Sequence, residues 1–168
     1  MSLTREILRT YVAPRRVMRD LLASVGAGDR PDARALACLL GGCLVIFVSA
    51  IPFALKGGDP WPAGAPVQMR LANTFFAWMF IAPPVFYLLA ALGHLVARLF
   101  GGRGSFLGAR LALFWTVLAV SPLFLLNGMI AQVIGGSPQH PGPGVLIPVV
   151  FLVLWTLSLV EAERPLPS

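Results

Sequence analysis

Four long apolar stretches dominate the chain, and polar loops rich in Pro and Gly separate them. Their approximate limits are residues 35–55, 71–97, 111–134 and 145–160. About 20 apolar helical residues cross the roughly 30 Å hydrocarbon core of a bilayer. The pattern therefore predicts an all-α integral membrane bundle with four transmembrane helices.

Prolines interrupt two of these stretches. Pro83 and Pro84 lie in the middle of the second stretch and predict a kink or a tilt there. The third stretch contains Pro122 and Asn127. One tilted helix accounts for its length, whereas a break near Asn127 with a re-entrant second piece would give five membrane segments.

The first 25 residues are amphipathic rather than uniformly apolar. Apolar side chains recur at helical spacing, and five arginines supply the polar side. Pro14 suits the start of a helix, so two short helices should meet near Ala13. We expect this pair to lie at the bilayer surface, with its arginines near lipid phosphates. The alternative is a helix pair packed on the rest of the protein.

Three regions follow from this organisation. Residues 1–31 are expected to form an amphipathic membrane-surface segment and linker. Residues 32–161 are expected to form the transmembrane domain, and residues 162–168 a short tail that holds Glu163 and, at its boundary, Glu161.

Composition supports a membrane protein and excludes a soluble enzyme. Hydrophobic residues make up 57% of the chain and charged residues 12%, against about 25% charge in an ordinary soluble domain. The net charge is +6, and the arginines flank the apolar stretches. We therefore expect anionic lipid headgroups as the partner, not nucleic acid. The expected lipid or partner contacts are Arg9, Arg15, Arg16, Arg19 and Arg103.

The apolar stretches contain no Asp, Glu, Lys or Arg, the groups on which proton relays and ion pumps depend. Motifs of hydrolases and nucleotide-binding enzymes are also missing from the sequence. The expectation is a non-enzymatic protein without a catalytic, metal or cofactor site. Two alternatives stay open. Asn127 and Gln132 could line a cavity in a small transporter or channel component, and His94 could ligate a haem or pigment, although an interfacial histidine beside Arg98 is preferred.

The loop between the second and third stretches has a recognisable local chemistry. Gly101 or Gly102 should end the preceding helix with a positive φ. Ser105, after Gly104, should cap the next helix with its hydroxyl. Arg103 should face the headgroups. We interpret the loop as a helix connector, with a partner-docking loop as the alternative.

Small residues on the first two spans predict close helix contacts. Gly41 and Gly42 lie in the first span, and Gly93 lies in the second. Such residues let helix backbones approach, either within the bundle or against another membrane protein.

A family resemblance is carried by the connector and its flanks. The run Gly101-Gly102-Arg103-Gly104-Ser105-Phe106, followed by the Ser121-Pro122 step, resembles the Yip family of multi-span proteins, in its bacterial branch. The segment YVAPRRVMRDLL near the N-terminus is also similar to that family. The resemblance implies a role in membrane organisation, or as an accessory or assembly partner of a larger membrane complex. Eukaryotic relatives act through small GTPases, but a bacterial composition implies no such partner here.

The distribution of basic residues gives a testable topology. With four spans, eleven of the 13 Lys and Arg residues lie on one side and only Lys56 and Arg70 on the other. The positive-inside rule then places both termini in the cytoplasm of a bacterial inner membrane. A reporter fused after Ser168 should give a cytoplasmic signal, and one inserted within residues 56–70 an external signal. An external signal from the C-terminal fusion would contradict the four-span topology.

Overall fold

The computed structural model describes residues 3–26, 30–57, 61–134 and 143–164. Within these ranges the chain forms seven α-helices and one π-helical turn, and no β-strand. The helices are α1 (Leu3–Val12), α2 (Pro14–Gly26), α3 (Pro31–Lys56), α4 (Val67–Phe76), α5 (Ala82–Leu99), α6 (Phe106–Ile134) and α7 (Pro143–Ala162), and the π-helical turn Ala77–Ile81 joins α4 to α5. The prediction of an all-α membrane bundle is confirmed.

Three helical segments are long and apolar enough to cross a membrane. They are Pro31–Lys56, Val67–Leu99 and Phe106–Ile130. The fourth predicted span corresponds to α7, which has 20 residues. Its apolar part, Leu146–Ala162, is shorter than the three segments above. Three of the four predicted spans are thus long and apolar enough to cross a membrane. That α7 also crosses the bilayer stays a prediction. The loop expected at residues 135–142 lies outside the described residues.

Helix α6 is the centre of the bundle. Its residues 111–121 are buried without interruption, so each side of the helix meets another part of the protein. Helix α3 packs along it most extensively, and α7 and α5 cover further sides. A helix that is apolar all round belongs in such a position. It runs unbroken past Asn127 to Ile134, so the alternative of a break and a re-entrant piece is wrong.

Glycines set the closest approaches between helices. A Cβ at Gly42 of α3 would lie 3.0 Å from the backbone N of Leu118 in α6. A Cβ at Gly93 of α5 would lie 2.9 Å from the indole ring of Trp155 in α7. Both glycines therefore allow close packing within the bundle. This was one of the two roles that the sequence predicted, the other being contact with another membrane protein.

Prolines remove helical hydrogen-bond donors in α3, α5, α6 and α7, and at two of these places the structure shows how the helix adapts. Pro122 has no N–H, so the carbonyl of Leu118 loses its usual donor. The hydroxyl of Ser121 donates to that carbonyl over 2.8 Å. The irregularity predicted at Pro83 and Pro84 takes the form of the π-helical turn that directly precedes them.

The N-terminal helices meet at Ala13, as predicted, and they pack on the bundle. The indole N–H of Trp115 donates to the Thr10 hydroxyl over 3.0 Å, and the Tyr11 hydroxyl donates to the Ala119 carbonyl over 2.6 Å. Burial raises the pKa of Tyr11, which favours the protonated, donating form. Leu8 and Val12 of α1 nevertheless stay exposed. The structure thus shows the packed helix pair, and its placement at a bilayer surface stays a prediction.

The contact between α3 and α6 predicts opposite effects at neighbouring glycines. Gly42→Ala should lower the free energy of unfolding by about 1–3 kcal/mol, because the methyl group meets the α6 backbone. Gly41→Ala is the matched control, since a Cβ there would be 3.7 Å from the Leu118 side chain. It should be neutral or stabilising by up to about 1 kcal/mol. Unfolding of the detergent-solubilised protein measures both, and equal effects would contradict the proposed contact.

Candidate functional site at the polar end of the bundle

Charged groups from distant parts of the sequence meet at one end of the bundle. We call this the polar end, and it comprises α1 and α2, the start of α3, the end of α5, the connector (residues 100–105), the start of α6 and the end of α7 up to Arg164. Three contacts join these elements: Arg110 to Asp32, Arg19 to Glu161, and Arg103 to Glu163. The start of α3 and the end of α7 therefore lie at the same end of the bundle.

The connector begins with a glycine cap on α5. Gly101 has φ +87°, which is the left-handed conformation predicted for Gly101 or Gly102. Its N–H donates to the Arg98 carbonyl over 3.0 Å, and the Gly102 N–H donates to the Ala97 carbonyl over 2.9 Å. This pair of bonds is a Schellman motif, which satisfies the last carbonyls of a helix.

The connector ends with a serine cap on α6. The Gly108 N–H donates to the Ser105 hydroxyl over 3.1 Å, as expected for an N-cap residue. Between the two caps, Gly104 lies against the end of α7, and a Cβ there would overlap the Ala162 carbonyl. The Arg103 side chain is exposed. The connector is therefore fixed at both ends and leaves its arginine open to the surroundings.

Glu163 links α7 to the connector and to α5. Its Oε1 lies 2.5 Å from Nδ1 of His94, and its Oε2 accepts the Gly104 N–H over 3.0 Å. Its carbonyl accepts the Arg103 N–H over 3.0 Å. The side chains of His94 and Glu163 are only 14% and 5% exposed.

This arrangement adds two features that the sequence analysis did not predict. Glu163 is enclosed, and the His94 imidazole pairs with its carboxylate. The reason is that α7 extends to Ala162, so the residue that follows stays in contact with the connector. These partners are 69 residues apart, and no local pattern in the sequence relates them.

Glu161 makes the corresponding link to α2. Its side chain is 4% exposed, and Oε1 lies 3.2 Å from Nε of Arg19. Oε2 lies 3.4 Å from an Nη atom of Arg164. The side chain of Arg19 is still 63% exposed. One buried carboxylate therefore positions two guanidinium groups that remain accessible.

Arg110 forms a third contact on α6. It lies 2.6 Å from the Asp32 carboxylate, and its guanidinium is 4.8 Å from the centre of the Phe106 ring. An arginine over an aromatic face gains a cation–π attraction. This contact fixes the start of α3 to the start of α6.

The predicted lipid contacts all lie at the polar end. Arg9 is on α1, and Arg15, Arg16 and Arg19 are on α2; with Arg103 of the connector, all five are exposed. Of these, Arg19 and Arg103 both contact the end of α7, through Glu161 and Glu163. The structure does not gather the five into one pocket but distributes them over the outside of the polar end.

Five hydroxyl side chains within the helices bond locally. The hydroxyls of Ser49, Thr74, Thr116, Ser121 and Thr156 each donate to a carbonyl of their own helix. Asn127 is half-buried, and the side chain of Gln132 lies outside the described part of the structure. For His94, the Nδ1 atom is already engaged by Glu163. The described residues thus provide no shared polar stripe along the helices.

The contact of the connector with α7 predicts a steric effect. Gly104→Ala should lower the free energy of unfolding by about 1–3 kcal/mol, because the methyl group overlaps the Ala162 carbonyl. Gly101→Asn is the matched control, since the site is open and asparagine tolerates a positive φ. Thermal unfolding of both variants in detergent provides the comparison. A Gly104 variant as stable as the Gly101 variant would contradict the close contact.

Comparison with known proteins gives one family match. The family model described as the Yip1 domain matches residues 8–161. Neither the curated proteins nor the solved structures give a match. The matched range includes the second half of α1, all of α2 and nearly all of α7, so it spans the helices that meet at the polar end. The chain is therefore a multi-span membrane protein that belongs to the Yip1 domain family.

Proposed function

We propose that this protein is a non-enzymatic organiser of the bacterial inner membrane that binds anionic lipid headgroups through its polar end. In this proposal both termini are cytoplasmic, and the protein acts as an accessory partner of a larger membrane complex. The observation that carries the proposal is the uneven distribution of arginine. Eleven of the 13 basic residues belong to the polar end, and only Lys56 and Arg70 lie at the other end.

The acidic residues at the polar end cancel only part of this charge, because its eleven basic residues face six acidic ones: Glu6, Asp20, Asp29, Asp32, Glu161 and Glu163. Glu161 and Glu163 are buried, and each is already engaged by partners within the protein. Arg15, Arg16 and Arg103 extend from the surface. A basic surface of this kind attracts anionic lipid by about 1 kcal/mol for each basic residue near the headgroups.

The geometry of α1 supports contact with a bilayer surface. Thr10 faces α6 and is buried. Leu8 and Val12, together with Arg5 and Arg9, are exposed on the side of the helix that faces away from α6. At a bilayer surface, the two apolar side chains could enter the acyl boundary while the long arginine side chains reach the headgroups.

The packing of α6 counts against the alternative of a small transporter. Residues 111–121 are buried among apolar neighbours, and the hydroxyls of Thr116 and Ser121 bond to their own helix. A transport path needs polar groups that face a common cavity. The central helix offers its neighbours an apolar surface instead.

Lipid selectivity tests the proposal on the full-length protein. In mixed bilayers, spin-labelled phosphatidylglycerol should associate with the protein more strongly than spin-labelled phosphatidylcholine. The preference should fall as salt is raised, because screening weakens surface electrostatics. A variant carrying Arg15→Gln and Arg16→Gln should lose a large part of the preference.

The other end of the bundle supplies the control. Lys56→Gln removes a charge from an exposed residue at that end, and it should leave the association with the cytoplasmic-side headgroups unchanged. Equal association of the unmodified protein with both lipids would overturn the proposal. An equal loss in the arginine and lysine variants would show that the polar end has no special role.

A further inference from the structure

Two arginines from distant parts of the sequence meet at the last turn of α7. Arg19 of α2 and Arg164, which follows α7, contact the carboxylate of Glu161 over 3.2 Å and 3.4 Å. The Glu161 side chain is 4% exposed, whereas those of Arg19 and Arg164 are 63% and 56% exposed. The carboxylate therefore lies behind the two guanidinium groups and anchors them, while the groups themselves stay open to a ligand. We call Arg19, Glu161 and Arg164 the arginine clamp.

The fold holds both arginines of the clamp in place. The Arg164 N–H donates to the Glu161 carbonyl over 3.3 Å, so the backbone still turns at this residue although α7 has ended. Arg19 belongs to α2, which packs against α7. Arg15 and Arg16 lie about one turn before Arg19 on the same side of α2, and both are exposed. The clamp is therefore fixed by two helices, and further basic residues adjoin it.

The clamp has more donors and more positive charge than its own carboxylate uses. Each guanidinium group has five N–H donors, whereas a carboxylate has two acceptor oxygens. Two guanidinium groups beside one carboxylate leave one positive charge in excess. Planar guanidinium groups bind phosphate oxygens through paired, charge-assisted hydrogen bonds. A phosphodiester, which carries a single negative charge, therefore matches both the donors and the surplus charge of the clamp.

The exposed side of α7 leads directly to the clamp. Val149, Val153 and Val160 are exposed, and so is Thr156, whose hydroxyl is bonded to its own helix. These residues follow one another every three or four positions, so they form one stripe along α7. Arg164 comes four positions after Val160, where the next turn of this stripe would fall. The surface of α7 thus offers contacts for acyl chains that end at donors for a phosphate group.

We propose that the arginine clamp is a discrete site for one phospholipid with an anionic headgroup. The phosphodiester of the lipid lies on Arg19 and Arg164, and its acyl chains lie along the exposed stripe of α7. The inference rests on the proposed function, because it requires the polar end to lie at the headgroups and α7 to cross the bilayer. It differs from general attraction to a basic surface, which depends on charge alone, because the clamp depends on the planar shape of guanidinium.

Substitutions that conserve charge separate the clamp from the general attraction. Native mass spectrometry of the full-length protein counts the phosphatidylglycerol molecules that it retains as this lipid is titrated. The unmodified protein should bind one molecule more tightly than any that follow. Arg19→Lys and Arg164→Lys keep the net charge but remove the planar donor group, so each should weaken the first binding about tenfold. Lys56→Arg, at the other end of the bundle, is the matched control and should leave it unchanged.

Arg164→Lys keeps the test decisive even if Arg19→Lys destabilises the contact between α2 and α7, because Arg164 is exposed and follows the last helix. Thermal unfolding of each variant in detergent reports whether the bundle is intact. A first binding that is equally tight in the unmodified protein and in Arg164→Lys would overturn the clamp. A series of equivalent weak bindings in the unmodified protein would overturn it as well.

Competition identifies the source of the phosphate group. Inorganic phosphate at the same concentration should not displace the retained phosphatidylglycerol, because it has no acyl chains to cover the stripe on α7. Phosphatidylcholine should also bind more weakly, because its choline places a positive charge beside the two arginines. Displacement by inorganic phosphate would show that the site takes a free phosphate and would overturn the assignment to a lipid.

The spin-label experiment distinguishes this inference from the proposed function. Salt-dependent selectivity in mixed bilayers, together with a first binding that is insensitive to both lysine substitutions, would retain the proposed function and reject the clamp. Tight binding of one lipid that both lysine substitutions weaken, with no loss of bilayer selectivity in the variant carrying Arg15→Gln and Arg16→Gln, would retain the clamp and reject the general lipid surface.

Discussion

Every polar backbone group inside a bilayer needs a partner within the protein, because the hydrocarbon offers no water. This requirement explains the most specific contacts of the structure. Pro122 leaves the Leu118 carbonyl without its helical donor, and the Ser121 hydroxyl replaces it. The neighbouring carbonyl of Ala119 accepts a bond from Tyr11 of α1. The turn of α6 that contains Pro122 therefore lies beside one of the points at which α1 is attached to the bundle.

The same requirement operates where α5 and α7 end and α6 begins. The last carbonyls of α5 are bonded by Gly101 and Gly102, and the first turn of α6 is bonded by Ser105. Two further N–H groups of the connector donate to Glu163. The chain therefore reverses direction between α5 and α6 while the polar backbone groups named above find their partners within the protein. An arginine can then point outward from the connector without leaving the backbone below it unbonded.

The sequence predicts those features whose causes are local. Adjacent glycines after an apolar run indicate the cap at Gly101, and Pro14 indicates the junction of α1 and α2. The length of the third stretch favoured one continuous helix over the break near Asn127, and α6 is continuous. The bond from Tyr11 to the Ala119 carbonyl could not be inferred in this way, because the two residues are 108 positions apart.

The ionic contacts of the polar end were equally inaccessible from local patterns. A glutamate near the end of a chain is ordinarily solvated, and only the packed structure shows that Glu161 and Glu163 are enclosed. Their partners lie on α2, α5 and the connector. The arginines of the candidate surface were predicted from their positions beside apolar stretches. The contacts of Arg19 and Arg103 with the end of α7 were not predicted.

The two buried carboxylates are better explained by specificity than by stability. Buried ion pairs cost desolvation energy that their attraction often only offsets. Helix α7, however, is apolar on nearly all sides, so hydrophobic packing alone defines its rotation poorly. Glu163 directly follows the last helical residue, and its N–H still donates to the Leu159 carbonyl, so the helical turn of about 100° per residue carries its side chain away from that of Glu161. Glu161 therefore meets Arg19 of α2 while Glu163 meets His94 and the connector on the opposite side. Rotating α7 would break both contacts and leave two uncompensated carboxylates in a buried site, so the pair selects one orientation of an otherwise featureless helix.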